Sequence, residues 1–130
     1  MKITIISGSH RAEVQSLKVE KFIQKTLEAG ICDEAPILSF ADNPLPLWDQ
    51  CVWDGDDKWT NLLTPLREQL SSSDGFVVIT PEWHGQVPAG LKNLFLLIIK
   101  NELVQKPAWI FAVSSGDWGS YPFAELRMSS

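Results

Sequence analysis

Cysteine is scarce in this chain. Cys32 and Cys51 are its only two, and they form no Cys-X-X-Cys pair and no Cys/His array. Zinc binding and dithiol exchange therefore have no sequence basis. Both thiols read as reduced and structural, which fits a cytoplasmic setting. Basic clusters are missing too, and the net charge is -5. A nucleic-acid surface needs grouped Lys and Arg, so that class is disfavoured. Long apolar runs are absent: "LFLLIIK" falls far short of the roughly 18 residues of a membrane span. No basic segment, long apolar stretch and small-residue cleavage site stand in sequence at the amino terminus, so no secretory signal is expected. There is no Walker A ending, no GxGxxG fingerprint and no nucleophile elbow. Hydrolase chemistry has little to stand on.

What remains is an ordinary soluble composition. The chain has 130 residues, 45% hydrophobic and 21% charged, enough for one domain over residues 1–130 with a core that needs no disulfide or metal. "KITIISG" is a β-branched, nearly continuous apolar run that suits a buried parallel strand. Val19, Phe22, Ile23 and Leu27 then recur at helical spacing, with Gly30 as the stop. "APILSFA" reads as a second strand. Asp42 to Lys58, rich in Pro, Asp and Trp, has no period and reads as a long loop. Trp59, Leu62, Leu63, Leu66 and Leu70 mark a second helix. Its main segment is expected to start at Pro65, with Thr64 as N-cap. "GFVVIT", "AGLKNLFLLIIK", "AWIFAVSSG" and "YPFAELRMSS" follow as strand, helix, strand and helix.

This order predicts an α/β fold, a doubly wound parallel sheet with helices on both faces. Ligands of such sheets sit at the carboxyl ends of the strands. That edge gathers three polar, Gly-containing loops: Ser7–Ser16, Pro81–Val87 and Ser114–Ser120. The helix after the third strand is apolar around nearly its whole circumference, from Leu91 to Ile99, so it is expected to be buried on more than one side. The chain ends as a fourth helix begins, which leaves Ala108–Val113 as an expected sheet edge.

The first loop, "SGSHRAEVQS", ends a strand and opens a helix. Free N–H groups and a partial positive charge at a helix N-terminus favour a phosphate. Ser9 and Ser16 carry hydroxyl donors, and Arg11 carries a planar fork. The plainer alternative is an N-cap with a solvated arginine. The second loop, "TPEWHGQVPAGLKN", is held by Pro81 and Gly85 in one backbone shape. Trp83 can cover an aromatic ring or pack in the core; His84 can bond to such a ring or face solvent. Glu82 has no titratable partner at a recognisable spacing. His10 reads as a loop residue in water.

Taken together, "GSHRAEVQS", "TPEWHGQVPAGLKN" and "AVSSGDWGS" resemble the NADPH-dependent FMN reductase family and its quinone and azo reductase relatives. The middle motif is the most specific. It resembles T-P-E-Y-N-G followed by P-x-x-L-K-N through Pro81, Glu82, Gly85, Pro88, Leu91, Lys92 and Asn93. Gly8, Ser9 and Arg11 resemble the G-S-x-R loop, and Ser114, Ser115 and Gly116 the serine- and glycine-rich turn.

The resemblance implies a flavodoxin-like sheet in the order 2-1-3-4, without the fifth strand. It implies FMN, with Ser9, Arg11, Gln15 and Ser16 at the phosphate. Pro81, Glu82, Trp83, His84 and Gly85 would lie along one ring edge, and Ser114, Ser115 and Gly116 on the opposite side. It implies NAD(P)H as hydride donor to flavin N5, and a small-molecule acceptor such as a quinone, azo compound or flavin. No protein acid or base is named. It also implies a homodimer or homotetramer through the Leu91–Ile99 helix. Three departures stand out: Val14 replaces a small polar residue, Trp83 a tyrosine and His84 an asparagine. A binding domain that has lost FMN, or a flavodoxin-type electron carrier, are the rival function classes.

Overall fold

A computed structural model describes residues 1–11, 15–98, 101–116 and 119–129, without the side chains of Gln15 and Ser129. Val14 and Ile99, named above, and Asp117 and Trp118 of the third motif lie outside the described residues. The elements run β1 (Ile3–Ser7), α1 (Gln15–Glu28), β2 (Ile37–Leu38), α2 (Cys51–Asp54), α3 (Asp57–Ser71), β3 (Gly75–Pro81), α4 (Ala89–Leu97), β4 (Ala108–Val113) and α5 (Ser120–Ser129).

The four strands form one sheet in the order β2-β1-β3-β4, and every pairing is parallel. The expected order and the expected edge position of β4 are both found. Central β3, GFVVITP, is buried along its whole length, as a parallel strand covered on both faces must be.

Side-chain alternation splits the core in two. Ile5, Val77 and Ile79 pack with Val19, Ile23 and Leu27 of α1 on one face. Ile6, Phe76 and Val78 pack on the other, against Trp59, Leu63 and Leu66 of α3, Leu91 and Leu94 of α4, and Leu126 of α5. Helices thus cover both faces, with α1 on one side and α2 to α5 on the other. Phe22, counted above with the inward positions of α1, is instead 70% exposed.

Two further expectations need correction. The Asp42–Lys58 stretch is not all loop, because it holds α2 and the start of α3. Pro65 does not open α3 but lies inside it. The N-cap is Asp56, whose Oδ1 accepts the Lys58 N–H at 2.8 Å. Thr64 caps nothing; its hydroxyl donates to the Thr60 carbonyl at 2.7 Å. An interior proline costs about 3 kcal/mol. The helix continues through it because Trp59, Leu63, Leu66 and Leu70 are all buried, at about 1.5–3 kcal/mol for each large apolar side chain.

The helix after β3 is also shorter than its apolar pattern suggests. It ends at Leu97, and Ile98 turns extended at φ -89°, ψ 99°. Leu96 remains 61% exposed. Among the described residues no helix is long and apolar enough to cross a membrane.

Candidate functional site

The carboxyl ends of β1, β3 and β4 bring the three loops to one edge of the sheet. Gly8 leaves β1 with its N–H donating to the Ile79 carbonyl at 2.7 Å. A Cβ at Gly8 would stand 2.7 Å from that same oxygen, so only glycine lets the loop approach β3 this closely. Ser9, which follows, is buried and its Oγ accepts the Arg11 N–H at 3.3 Å. His10 and Arg11 are exposed.

Ser16 lies in the first turn of α1, where N–H groups have no intrahelical acceptor. Its side chain is 3% exposed, yet its Oγ has no hydrogen-bond partner among the described residues. A buried, unpaired hydroxyl costs about 1–3 kcal/mol. Such a group at a helix N-terminus suits an anion that accepts its proton. Gln15 opens the same turn.

The second loop is a tight hairpin. Trp83 and Gln86 exchange backbone hydrogen bonds, at 3.1 Å from the Trp83 N–H and 3.0 Å from the Gln86 N–H. Between them His84 has φ 52° and Gly85 φ 71°. Two consecutive left-handed residues define a type I′ turn, whose favoured sequence is Asn-Gly. The backbone therefore explains the asparagine that His84 replaces: the position demands left-handed geometry, which histidine tolerates better than most side chains. The N–H groups of His84 and Gly85 make no backbone hydrogen bond among the described residues.

Pro81 ends β3 and is buried. The Glu82 N–H donates to the Val113 carbonyl at 3.0 Å, which ties the hairpin to the end of β4. Its carboxylate Oε2 is buried without a hydrogen-bond partner among the described residues. Ser114 is half-buried and Ser115 and Gly116 are exposed. The Gly116 N–H donates to the Ser114 Oγ at 3.3 Å, a local turn that curls this loop beside β4.

Sequence reasoning missed three residues here. His10 is exposed, as expected, but it also meets Trp83 edge to face, with ring centroids 4.9 Å apart and planes at 84°. The first and second loops are thereby in contact. Asn93 was matched only as part of a motif. It is buried, donates to the Pro46 carbonyl and accepts the Trp48 N–H, each at 2.8 Å. It holds the tryptophan-rich segment against α4, and a 210 Å³ cavity lies between that segment, Gly8–His10 and Gly90. Glu125 was not singled out at all. Its Oε2 accepts the Val87 N–H at 2.8 Å, and its Oε1 pairs with Lys92. Lys92 first, and the Val87 N–H second, hold its carboxyl below the usual range. Of this pair only Lys92 carries a sequence signal, as a motif position.

The larger cavity, 520 Å³, lies elsewhere, under β3 and β4 among Phe76, Phe95, Leu103 and Leu126. It is lined almost wholly by apolar side chains and stands apart from the three loops. Cys51 offers no nucleophile: Asp49, by hydrogen bond and then by charge, pushes its thiol up, the wrong direction for a thiolate. Among the described residues no cluster of His, Cys, Asp and Glu could hold a metal.

An NADPH azoreductase from a Bacillus species is 28% identical over 121 residues, covering 92% of this chain and 62% of that protein. A quinone reductase from Escherichia coli is 31% identical over 93 residues, covering 72% of this chain and 47% of that protein. The chain thus spans about half to two thirds of the length of these relatives. In fold it is similar to FerB, a flavoenzyme NAD(P)H:acceptor oxidoreductase from Paracoccus denitrificans. The TM-score is 0.79 at 23% identity, over 98% of this chain and 69% of that one. It is also similar to an FMN-dependent NADH-azoreductase from Bacillus anthracis solved with FMN, at TM-score 0.74 and 17% identity, over 98% and 80% of the two chains. The family described as NADPH-dependent FMN reductase matches residues 1–125, and this chain belongs to it.

Proposed function

We propose that the three loops hold FMN and that the protein passes two electrons from NAD(P)H to a small acceptor, a quinone or an azo compound. The observation that carries this reading is Ser16: a buried hydroxyl without a partner among the described residues, in the first turn of a 14-residue helix. A phosphate there satisfies the hydroxyl and the free N–H groups of α1 together. Ser9 adds a second hydroxyl, Arg11 adds charge from the exposed side, and Gln15 shares the same turn.

The residues of the second and third loops fit a flat ring. The Trp83–Gln86 turn is an edge whose His84 and Gly85 N–H groups can face polar ring atoms. Glu82 brings a buried acceptor that has no donor among the described residues. Trp83, braced by His10, supplies an apolar wall. Ser114, Ser115 and Gly116 flank the other side. Bound FMN would supply the hydride chemistry, which no side chain in this site can. The protein's part is to hold the ring, exclude water and place N–H dipoles where negative charge develops.

Leu96, 61% exposed on α4, supports a subunit contact through that helix, which sedimentation would reveal as a dimer or tetramer. Absorbance of purified protein tests the cofactor: bands near 370 and 450 nm at one FMN per chain are expected. NADPH consumption with a quinone separates a reductase from an electron carrier. Well-folded protein that takes up no FMN overturns the proposal.

A further inference from the structure

We infer that Glu125 is a positioning residue for the cofactor ring, locking the Trp83–Gln86 hairpin to the segment that follows β4. This rests on the reading of that hairpin as the ring edge.

Glu125 sits on α5, the helix entered directly from the Ser114–Gly116 side of the site. One carboxylate oxygen takes the N–H of Val87, the residue after the hairpin, at 2.8 Å. The other pairs with Lys92 on α4. A single side chain therefore spans the exit of the second loop, the start of α4 and the element after the third loop. Val87 itself is buried, so its N–H has little water to fall back on once Glu125 is gone. At the other end of the hairpin the Glu82 N–H is held by the Val113 carbonyl. Both ends are thus tied to the β4–α5 segment, one by backbone and one by Glu125. The two loops assigned to opposite sides of the ring keep a fixed spacing only while both ties hold.

The charge pair is the lesser part of this arrangement. Lys92 is 44% exposed on its side chain, and such pairs contribute little in water. The hydrogen bond to Val87 is the part that positions the loop.

The test compares FMN and riboflavin binding by flavin fluorescence in the wild type, Glu125→Ala and Glu125→Gln. Riboflavin has the ring without the phosphate. Without that tie the hairpin is loose in the free protein and must be ordered on binding, so roughly a tenfold rise in Kd is expected for Glu125→Ala. The rise should be the same for both ligands, because the phosphate seat is untouched. The visible band of bound flavin should shift as well. Glu125→Gln keeps an acceptor for Val87 and removes the charge, so it should recover to within about threefold of wild type. Three results overturn the inference: Kd values unchanged in Glu125→Ala while its Tm falls, FMN weakened but riboflavin not, or Glu125→Gln no better than Glu125→Ala. If Glu125→Ala does not fold, the glutamine variant decides alone, since it must bind both flavins nearly as the wild type does. A wild type that binds neither flavin refutes the underlying site reading itself.

Discussion

Asn93 accepts the backbone N–H of Trp48 at 2.8 Å through its Oδ1, while its Nδ2 donates to the Pro46 carbonyl at 2.8 Å. One buried amide thus satisfies two groups of a segment that has no sheet or helix partner there. Asn93→Ala should leave both without that partner and cost about 1–3 kcal/mol. Hydrogen exchange should rise in residues 44–50 more than in β3. Uniform acceleration across the chain would contradict a local clamp.

Ser16→Ala should act in opposite directions on stability and binding. The hydroxyl has no partner among the described residues, so removing it should stabilise ligand-free protein by about 1 kcal/mol. FMN affinity should fall roughly tenfold, with riboflavin affinity unchanged. Calorimetry and fluorescence titration on the same sample check both. Lower stability with unchanged FMN binding would assign Ser16 to the core.

His84 sits at φ 52°, and the turn chemistry ranks its replacements. His84→Asn should match or exceed the wild-type Tm, because asparagine suits this geometry best among non-glycine residues. His84→Val should cost about 1 kcal/mol, because a β-branched side chain fits left-handed backbone worse than histidine does. Equal Tm values for the two variants would show that the turn is not type I′ in solution.

Glu125 links stability to pH with a definite sign. Its folded carboxyl titrates below its ordinary value of about 4.5. Its contribution is therefore complete above that value and is lost as pH falls through the lower folded value. The stability gap between wild type and Glu125→Gln should be largest near neutrality, at about 1 kcal/mol or less given the exposure of Lys92, and narrow as pH falls through the lowered folded value. Urea midpoints across this range check it. A gap that widens in acid would contradict the sign.

Local pattern carried much of this fold. The β-branched runs of β1 and β3 and the Leu spacing of α3 announce themselves because burial imposes a period. The order 2-1-3-4 followed from the family resemblance. Pro65 misled because proline argues locally against a helix interior, while four buried side chains decide the matter through tertiary packing. Leu97 ends α4 although the apolar run continues, since hydrophobicity alone marks no helix stop.

The site was legible where backbone geometry leaves a residue signature: Gly8 for close approach, Gly85 for a left-handed turn. His10, Asn93 and Glu125 were not. Their partners lie 73, 45 and 38 positions away, and a single sequence shows no pairing at that distance.

The most direct measurement is titration of the folded, flavin-free chain with FMN and, separately, with riboflavin. The account predicts one FMN per chain, with the characteristic visible bands. Binding of riboflavin should be weaker by the share that Ser9, Arg11 and Ser16 contribute to the phosphate. Equal affinity for both would deny an anion seat at α1, and no uptake of either by folded protein would contradict the account as a whole.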